Sequence, residues 1–303
     1  MKHNTKITAI LITMFLVTQL IGLFVVASYI NGIDLPYGME PPADVNQDTS
    51  VVSIVIAFII AISLFILLTK IKAEAFIRLW FFVVTIIALG LSLNVILLKL
   101  TLTFYVSIMA IVIAFPLAYY KIYKRQLFIH NLTELLIYPG IAAVFIPLLN
   151  VMGITVLLLV ISFYDIWAVW QSEFMQKMAK YQIENLKFFT GFFVPYADKK
   201  QKQKIKELKE KYGGNEKVLE SEFKKARIKV NLAILGGGDI IFPIITAGIF
   251  YRTAGLLPAL IITVSATLAL LFLFVLARKG KFYPAMPFLT MGMYLGMIVS
   301  WLI

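Results

Sequence analysis

Cysteine is absent from the 303 residues of this chain, and only two histidines occur, His3 and His130. Without thiols the chain can form no disulfide and no thiolate metal site. The HExxH pattern of zinc metalloproteases is absent as well. We therefore expect that no metal ion and no cofactor takes part in the function.

Charged residues are scarce too, at 15% of the chain against 61% hydrophobic residues, and the mean hydropathy is +0.90. A soluble domain is nearer a quarter charged. The apolar residues form blocks of about 18–24 residues, the length of a membrane-spanning helix, and the ~10-residue alternation of a transmembrane barrel is not seen. Because lipid offers the backbone of a spanning segment no partner, we predict an all-α, polytopic membrane protein.

The apolar blocks predict nine transmembrane helices, the first of which we interpret as a retained span rather than a signal peptide. The expected ranges are 7–30, 51–69, 79–98, 101–120, 127–149, 151–170, 230–250, 254–277 and 282–303. Three regions follow from them: a six-span part (1–170), a cytoplasmic loop (171–229) and a three-span part (230–303).

The loop 171–229 is the one long hydrophilic segment. Its first part mixes aromatic residues, methionine and lysine, which predicts an amphipathic helix at the membrane interface that Pro195 ends. Its second part is Lys-rich and broken at Gly213-Gly214-Asn215. This composition is typical of a solvated linker attracted to anionic headgroups.

Lysine and arginine indicate the orientation. With a cytoplasmic N-terminus, all lysines and arginines except Lys99 and Arg252 fall on the cytoplasmic side. The charged residues of the first outer loop (31–50) are all acidic. Nine spans then place the C-terminus outside. The formal net charge of +12 therefore reflects membrane topology, and we expect a multi-pass protein of the cell membrane that binds no nucleic acid.

Two aspartates, Asp165 and Asp239, lie inside the apolar blocks of consecutive predicted spans. A carboxylate at membrane depth costs at least ~2.5–3.5 kcal/mol, so it usually has a function. At 1.5 Å per residue, both aspartates lie about 12–18 Å inside the cytoplasmic charge boundary. Antiparallel neighbouring helices can therefore bring them face to face.

Two adjacent carboxyl groups in a medium of low dielectric share one proton. The ionised member can take a proton from water as the water attacks a peptide carbonyl. The protonated member can stabilise the oxyanion and later protonate the leaving amine. Such a pair needs neither a metal nor a covalent intermediate.

The aspartates have characteristic neighbours. Gly236, Gly237 and Gly238 precede Asp239; each glycine weakens a helix by about 1 kcal/mol, but together they let another backbone come close. The segment Pro284-Ala285-Met286-Pro287 opens the last span, and its extended backbone could pair with an extended substrate. Plain helix packing and plain helix starting remain the alternatives for these two motifs.

Together these motifs resemble the presenilin and signal peptide peptidase family of intramembrane aspartyl proteases, which has nine spans. Tyr164-Asp165 matches its YD motif in span six, and residues 236–239 match GxGD in span seven. Pro284-Ala285-Met286 matches the first two letters of its PAL motif. The short termini are most similar to those of archaeal presenilin homologues.

The resemblance implies that Asp165 and Asp239 are a catalytic pair that cleaves the transmembrane segments of substrate proteins within the lipid bilayer. It also implies that Gly237 influences substrate choice and that Pro284, Ala285 and Met286 shape the site and help substrate dock. We add Tyr164, Gly236 and Gly238 as candidate substrate-binding residues, although Tyr164 could equally be a core aromatic. Obligate partner subunits are not expected.

Two other functions stay open: a proton-coupled transporter that uses the same two aspartates, and a binding protein of the same fold without activity. His130 and Glu134, four residues apart at the start of span five, are either a proton relay or a structural pair.

Overall fold

The structure, a computed structural model, describes residues 5–39, 47–100, 105–124, 126–171, 178, 181–186, 188–196, 201, 203, 206–208, 210, 231–277 and 283–303. His3, the predicted break at Gly213-Gly214-Asn215 and most of the loop 171–229 lie outside these residues.

Nine α-helices have both ends within the described residues, and each predicted span overlaps one of them. They are α1 Thr5–Ile30, α2 Gln47–Lys70, α3 Glu74–Leu100, α4 Val106–Tyr119, α5 Leu127–Phe145, α6 Val151–Ile166, α7 Gly237–Ala254, α8 Leu256–Leu276 and α9 Met286–Leu302. Single π-helical turns, Tyr120–Lys124 and Trp167–Gln171, extend α4 and α6.

Seven of these helices, α1 to α6 and α8, are long and apolar enough to cross a membrane. The other two, α7 with 18 residues and α9 with 17, fall outside that set. The chain is thus mostly helical with membrane-type helices. The count of nine spans and the orientation of the termini stay predictions.

The main core joins α1, α5, α6, α7, α8 and α9, while α3 and α4 pack together at one side and α2 is largely exposed. The helices α3 and α5 cross closely, because a Cβ at Gly140 would lie 2.0 Å from the Ala88 carbonyl oxygen. Small residues allow such approach between helices in lipid. This packing fixes α5 beneath the start of α7.

The tight turn between α5 and α6 is held by two polar side chains. Asn150 caps α6, since its Oδ1 accepts from the Gly153 amide at 2.6 Å. The Arg252 guanidinium donates to the carbonyl oxygens of Ile146 at 2.9 Å and Leu149 at 2.5 Å. These bonds satisfy carbonyls that the end of α5 leaves without helical partners.

The expectation of an all-α protein is wrong in one respect, because a two-stranded antiparallel sheet is present. Strand β1, Gly191–Tyr196, pairs with β2, Asn231–Gly236, in the register Gly191↔Gly236 to Tyr196↔Asn231. The span predicted from residue 230 therefore starts as a strand and becomes helical only at Gly237. Gly236 has an extended backbone and ends the strand, and pairing with β1 satisfies the backbone groups before the helix begins at Gly237.

Pro195 does not end a helix, as was predicted, but lies within β1. Asn131 bonds to both backbone groups of Phe193: its Oδ1 accepts from the amide at 3.3 Å and its Nδ2 donates to the carbonyl at 3.0 Å. Because backbone direction alternates along a strand, Gly191, Phe193 and Pro195 all turn their backbone groups away from β2. Proline fits at such a position, since the ladder needs no amide there.

Candidate active site

Asp165 lies near the end of α6, 5% exposed, and faces the start of α9. Its Oδ2 accepts a hydrogen bond of 3.0 Å from the backbone amide of Met286, the first residue of α9. Amides in the first turn of a helix have no partner within the helix and carry its positive dipole end. The segment Pro284-Ala285-Met286 therefore directly supports this carboxylate.

Two further contacts tie α6 to α9. The hydroxyls of Ser162 and Thr290 are 2.7 Å apart, and the Tyr294 hydroxyl donates to the Thr155 carbonyl at 2.5 Å. The sequence analysis missed these residues. Their spacing in the sequence could have indicated them. Ser162 precedes Asp165 by one helical turn, and Thr290 and Tyr294 follow Met286 at intervals of four residues, so each set lies on one face of its helix.

Asp239 lies in the first turn of α7, directly after β2. Gly236 is the residue before the helix, and a Cβ there would lie 3.3 Å from Asp239 Oδ2, so the carboxyl group turns back toward the end of the strand. The third residue of a helix can reach back in this way to the residue that precedes the first turn. The strand end and the helix start together fix this carboxyl group.

The helices α6 and α7 contact each other, and the Asp165 carboxyl group acts electrostatically on Asp239. On the opposite side of α7, the Gln19 amide nitrogen of α1 donates to the Ile240 carbonyl at 2.9 Å. Gln19, which the sequence analysis also missed, anchors the helix turn that carries Asp239.

The three glycines differ in their surroundings. A Cβ at Gly236 would lie 3.3 Å from Asp239 Oδ2, and one at Gly237 would lie 2.9 Å from the Tyr138 hydroxyl. A Cβ at Gly238 would meet nothing within 4 Å. Close approach therefore explains the first two glycines and not the third.

Tyr164 is half-buried, and its ring centroid lies 6.3 Å from that of Trp167 in the turn that extends α6. Pro284 and Met286 are buried, and Ala285 is partly buried. The structure thus places Pro284, Ala285 and Met286 beside Asp165, and Gly236, Gly237 and Gly238 beside Asp239.

Among the described residues, side chains occupy one edge of the sheet by hydrogen bonds, and the other edge has no such partner. On β1, His130 Nε2 donates to the Gly191 carbonyl at 2.9 Å and Asn131 bonds to Phe193, so side chains of α5 occupy the outer edge. The partners of the outward-facing residues of β1 must also turn their backbone groups outward on β2. These partners are Leu232, Ile234 and Gly236, which form the open β2 edge leading to Asp239.

His130 and Glu134 lie on one face of α5, with His130 Nε2 at 3.7 Å from a Glu134 carboxylate oxygen. The ion-pair partner of Glu134 is Lys121, which the sequence analysis counted only as a charge at the membrane boundary. Lys121 is 3% exposed and Glu134 1%. Among the described residues, no group of three His, Cys, Asp or Glu residues could hold a metal ion.

The sequence matches the family described as signal-peptide peptidase, presenilin aspartyl protease, over residues 12–303. No curated protein matches it significantly.

The fold is similar to two solved structures of a presenilin family intramembrane aspartate protease. The structure in space group C222 gives a TM-score of 0.62 at 19% identity and covers 97% of this chain and 98% of that chain. The structure in space group P2 gives a TM-score of 0.59 at 19% identity and covers 96% of each chain. At this identity the likeness concerns the fold.

Proposed function

Because this chain belongs to the signal-peptide peptidase and presenilin family and is an aspartic endopeptidase, we propose that Asp165 and Asp239 are its catalytic dyad and that it cleaves transmembrane helices of substrate proteins. The observation that carries the proposal is the convergence of α6, α7 and α9. The Met286 amide donates to the Asp165 carboxyl group, the Asp239 carboxyl group lies close to Gly236 at the end of β2, and the two carboxyl groups interact electrostatically.

The chemistry follows from the shared proton of such a pair. The ionised carboxylate takes a proton from water while the water oxygen bonds to the peptide carbonyl carbon. The carboxylic acid donates its proton to the carbonyl oxygen, which gives a neutral tetrahedral gem-diol. When the C–N bond breaks, the amine nitrogen takes a proton from one carboxyl group and a diol hydroxyl returns one to the other.

Substrate presentation is assigned to the open β2 edge. A peptide bond inside a helix is shielded by its neighbours, and an unwound segment in lipid needs new hydrogen-bond partners. Addition of the unwound segment to an exposed strand edge supplies them. Since β2 ends at Gly236 and Asp239 follows three residues later, a strand on this edge runs toward the dyad.

We propose that the protein lies in the cell membrane with its N-terminus in the cytoplasm and its C-terminus outside. The distribution of lysine and arginine supports this orientation. We propose that the chain acts without obligate partner subunits, so the purified chain in liposomes is the proper assay.

The test is cleavage of a single-span model substrate by wild type, Asp165→Asn and Asp239→Asn. Asparagine preserves side-chain size and an acceptor oxygen for the supporting amides, but it cannot exchange a proton as a carboxyl group does. We expect each variant to lose at least about 100-fold in rate. Asp34→Asn, at an exposed position in the outer loop, is the matched control and should cleave as wild type does.

Equal cleavage by all four proteins would refute the dyad. Substrate-dependent proton uptake into the liposomes without any cleavage would instead favour the transporter alternative.

A further inference from the structure

A polar stripe runs along α5 toward the candidate dyad. It consists of His130, Glu134 and Tyr138, spaced four residues apart and thus on one face of the helix. All three are at least nine-tenths buried, at 3%, 1% and 4% exposure. The stripe begins next to β1 and ends against the first turn of α7.

The part of the stripe nearest β1, formed by His130 and Glu134, has polar partners. Glu134 forms a buried ion pair with Lys121. Lys121 Nζ lies 3.4 Å from His130 Nδ1, and His130 Nε2 lies 2.9 Å from the Gly191 carbonyl oxygen. Because lysine only donates and a carbonyl only accepts, these contacts assign the neutral histidine with its proton on Nε2.

The other end of the stripe, at Tyr138, is not fully satisfied. The buried Tyr138 hydroxyl makes no hydrogen bond of standard geometry among the described residues, although Glu134 lies close enough to interact with it. It interacts electrostatically with both Glu134 and Asp239, and it occupies the space beside Gly237. A buried hydroxyl without a partner is costly, and native structures usually satisfy such a group with protein or ordered water.

A cavity of about 260 Å³ lies at this point. Its lining includes Lys121, Glu134, Tyr138, Gly237 and Gly238. A water molecule needs far less space than this and two to four polar partners, which the lining offers. Most of the lining is apolar, so the cavity suits water only at the polar groups of Lys121, Glu134 and Tyr138, between the ion pair and the start of α7.

We propose that Tyr138 is a positioning residue for Asp239, linked through water in this cavity to the Lys121–Glu134 pair, and that Gly237 is glycine because the Tyr138 hydroxyl takes the place of its side chain. The inference rests on the proposed function, in which Asp239 is catalytic. The cavity is lined by Gly237 and Gly238, the two residues before Asp239, and a water bound there to the Tyr138 hydroxyl would give the Asp239 carboxyl group a hydrogen-bond donor that restricts its orientation.

The competing explanation is packing alone, because the Tyr138 ring also meets Phe192 edge-on, with centroids 6.3 Å apart. Phenylalanine would preserve that packing. The hydroxyl is thus the atom to test.

The experiment measures kcat and KM of the full chain in liposomes for wild type, Tyr138→Phe, Gly237→Ala, the double variant and Asp239→Asn. The matched control is Tyr29→Phe, which removes a tyrosine hydroxyl that bonds to the Leu91 carbonyl at 2.7 Å and lies away from the dyad. For Tyr138→Phe we expect kcat to fall about tenfold with KM within about twofold, since a hydrogen bond to a charged group is lost. Tyr29→Phe should retain wild-type kcat.

Gly237→Ala should also lower kcat, because its Cβ would displace the hydroxyl. The double variant should lose less than the product of the two single losses, as both changes disrupt one contact. Wild-type kcat in Tyr138→Phe, or strictly multiplicative losses, would overturn the inference. An inactive wild type, or an Asp239→Asn variant as active as wild type, would overturn the proposed function instead.

Discussion

At the residue scale, the most costly group to bury is the Lys121–Glu134 ion pair. Loss of one partner leaves an uncompensated charge, which in buried pairs costs about 3–5 kcal/mol, whereas replacement of both partners by apolar residues is often neutral. The pair joins the turn that follows α4 to the first half of α5, and α5 in turn contacts β1.

We therefore predict that Glu134→Gln lowers the free energy of unfolding by about 3 kcal/mol, and that Lys121→Met with Glu134→Leu restores most of it. Thermal unfolding in detergent would measure both. The control is Glu210→Gln, because Glu210 pairs with Lys206 at 3.7 Å on an exposed surface, where such a pair contributes about 0–1 kcal/mol. Wild-type stability in Glu134→Gln would contradict the prediction.

Single residues also mark the limit of sequence reasoning. Asp165 and Asp239 stand out because each is a charge in an apolar block. Lys121 and Asn131 do not, because lysine and asparagine near a predicted membrane boundary have an ordinary explanation in topology. The role of Lys121 depends on Glu134, and the role of Asn131 depends on Phe193. No local pattern connects Asn131 with a residue about 60 positions later.

At the scale of the elements, β2 has an edge close to Asp239 on which no described residue forms a strand partner. Ile234 directs its backbone amide to that edge, away from β1. Removal of this amide leaves the β1–β2 ladder intact but deletes one bond to an added strand.

We predict that Ile234→Pro lowers cleavage about tenfold through this lost bond, while the fold persists, because proline is tolerated on an edge strand. Ile234→Ala keeps the amide and is the control for the lost side chain. Cleavage rates of the two variants in liposomes provide the measurement. Equal rates would mean that substrate does not use the β2 edge.

Hydropathy predicts the helices well, since lipid demands long apolar segments, and the observed bounds mostly differ by a few residues. The same criterion hides β2. Asn231–Gly236 is as apolar as the helix that follows, so it merges with the predicted span. Its alternation of buried Ala233 and Leu235 with exposed Leu232 and Ile234 is a strand signal too short to outweigh the hydropathy.

At the scale of the whole molecule, the distribution of charge sets the orientation in the membrane. The absence of cysteine makes that orientation directly testable, since an introduced thiol has no competitor in the chain.

We predict that Asp34→Cys reacts with an impermeant maleimide added outside intact cells, and that Glu210→Cys reacts only after the membrane is opened. Both positions are exposed in the structure, so accessibility of the side chain does not limit labelling. Reaction of Glu210→Cys in intact cells would reverse the predicted orientation.

The length of α9 has a consequence for the surrounding lipid. Its 17 residues rise about 25 Å, roughly 5 Å less than the ~30 Å hydrocarbon thickness, whereas the neighbouring α8 matches that thickness with 21 residues. In the predicted nine-span topology, local thinning of the bilayer or snorkelling of flanking residues accommodates this difference, at a cost of a fraction of a kcal/mol per Å. Because the first amide of α9 donates to Asp165, we expect the acyl-chain length of the membrane to influence the geometry of that carboxyl group.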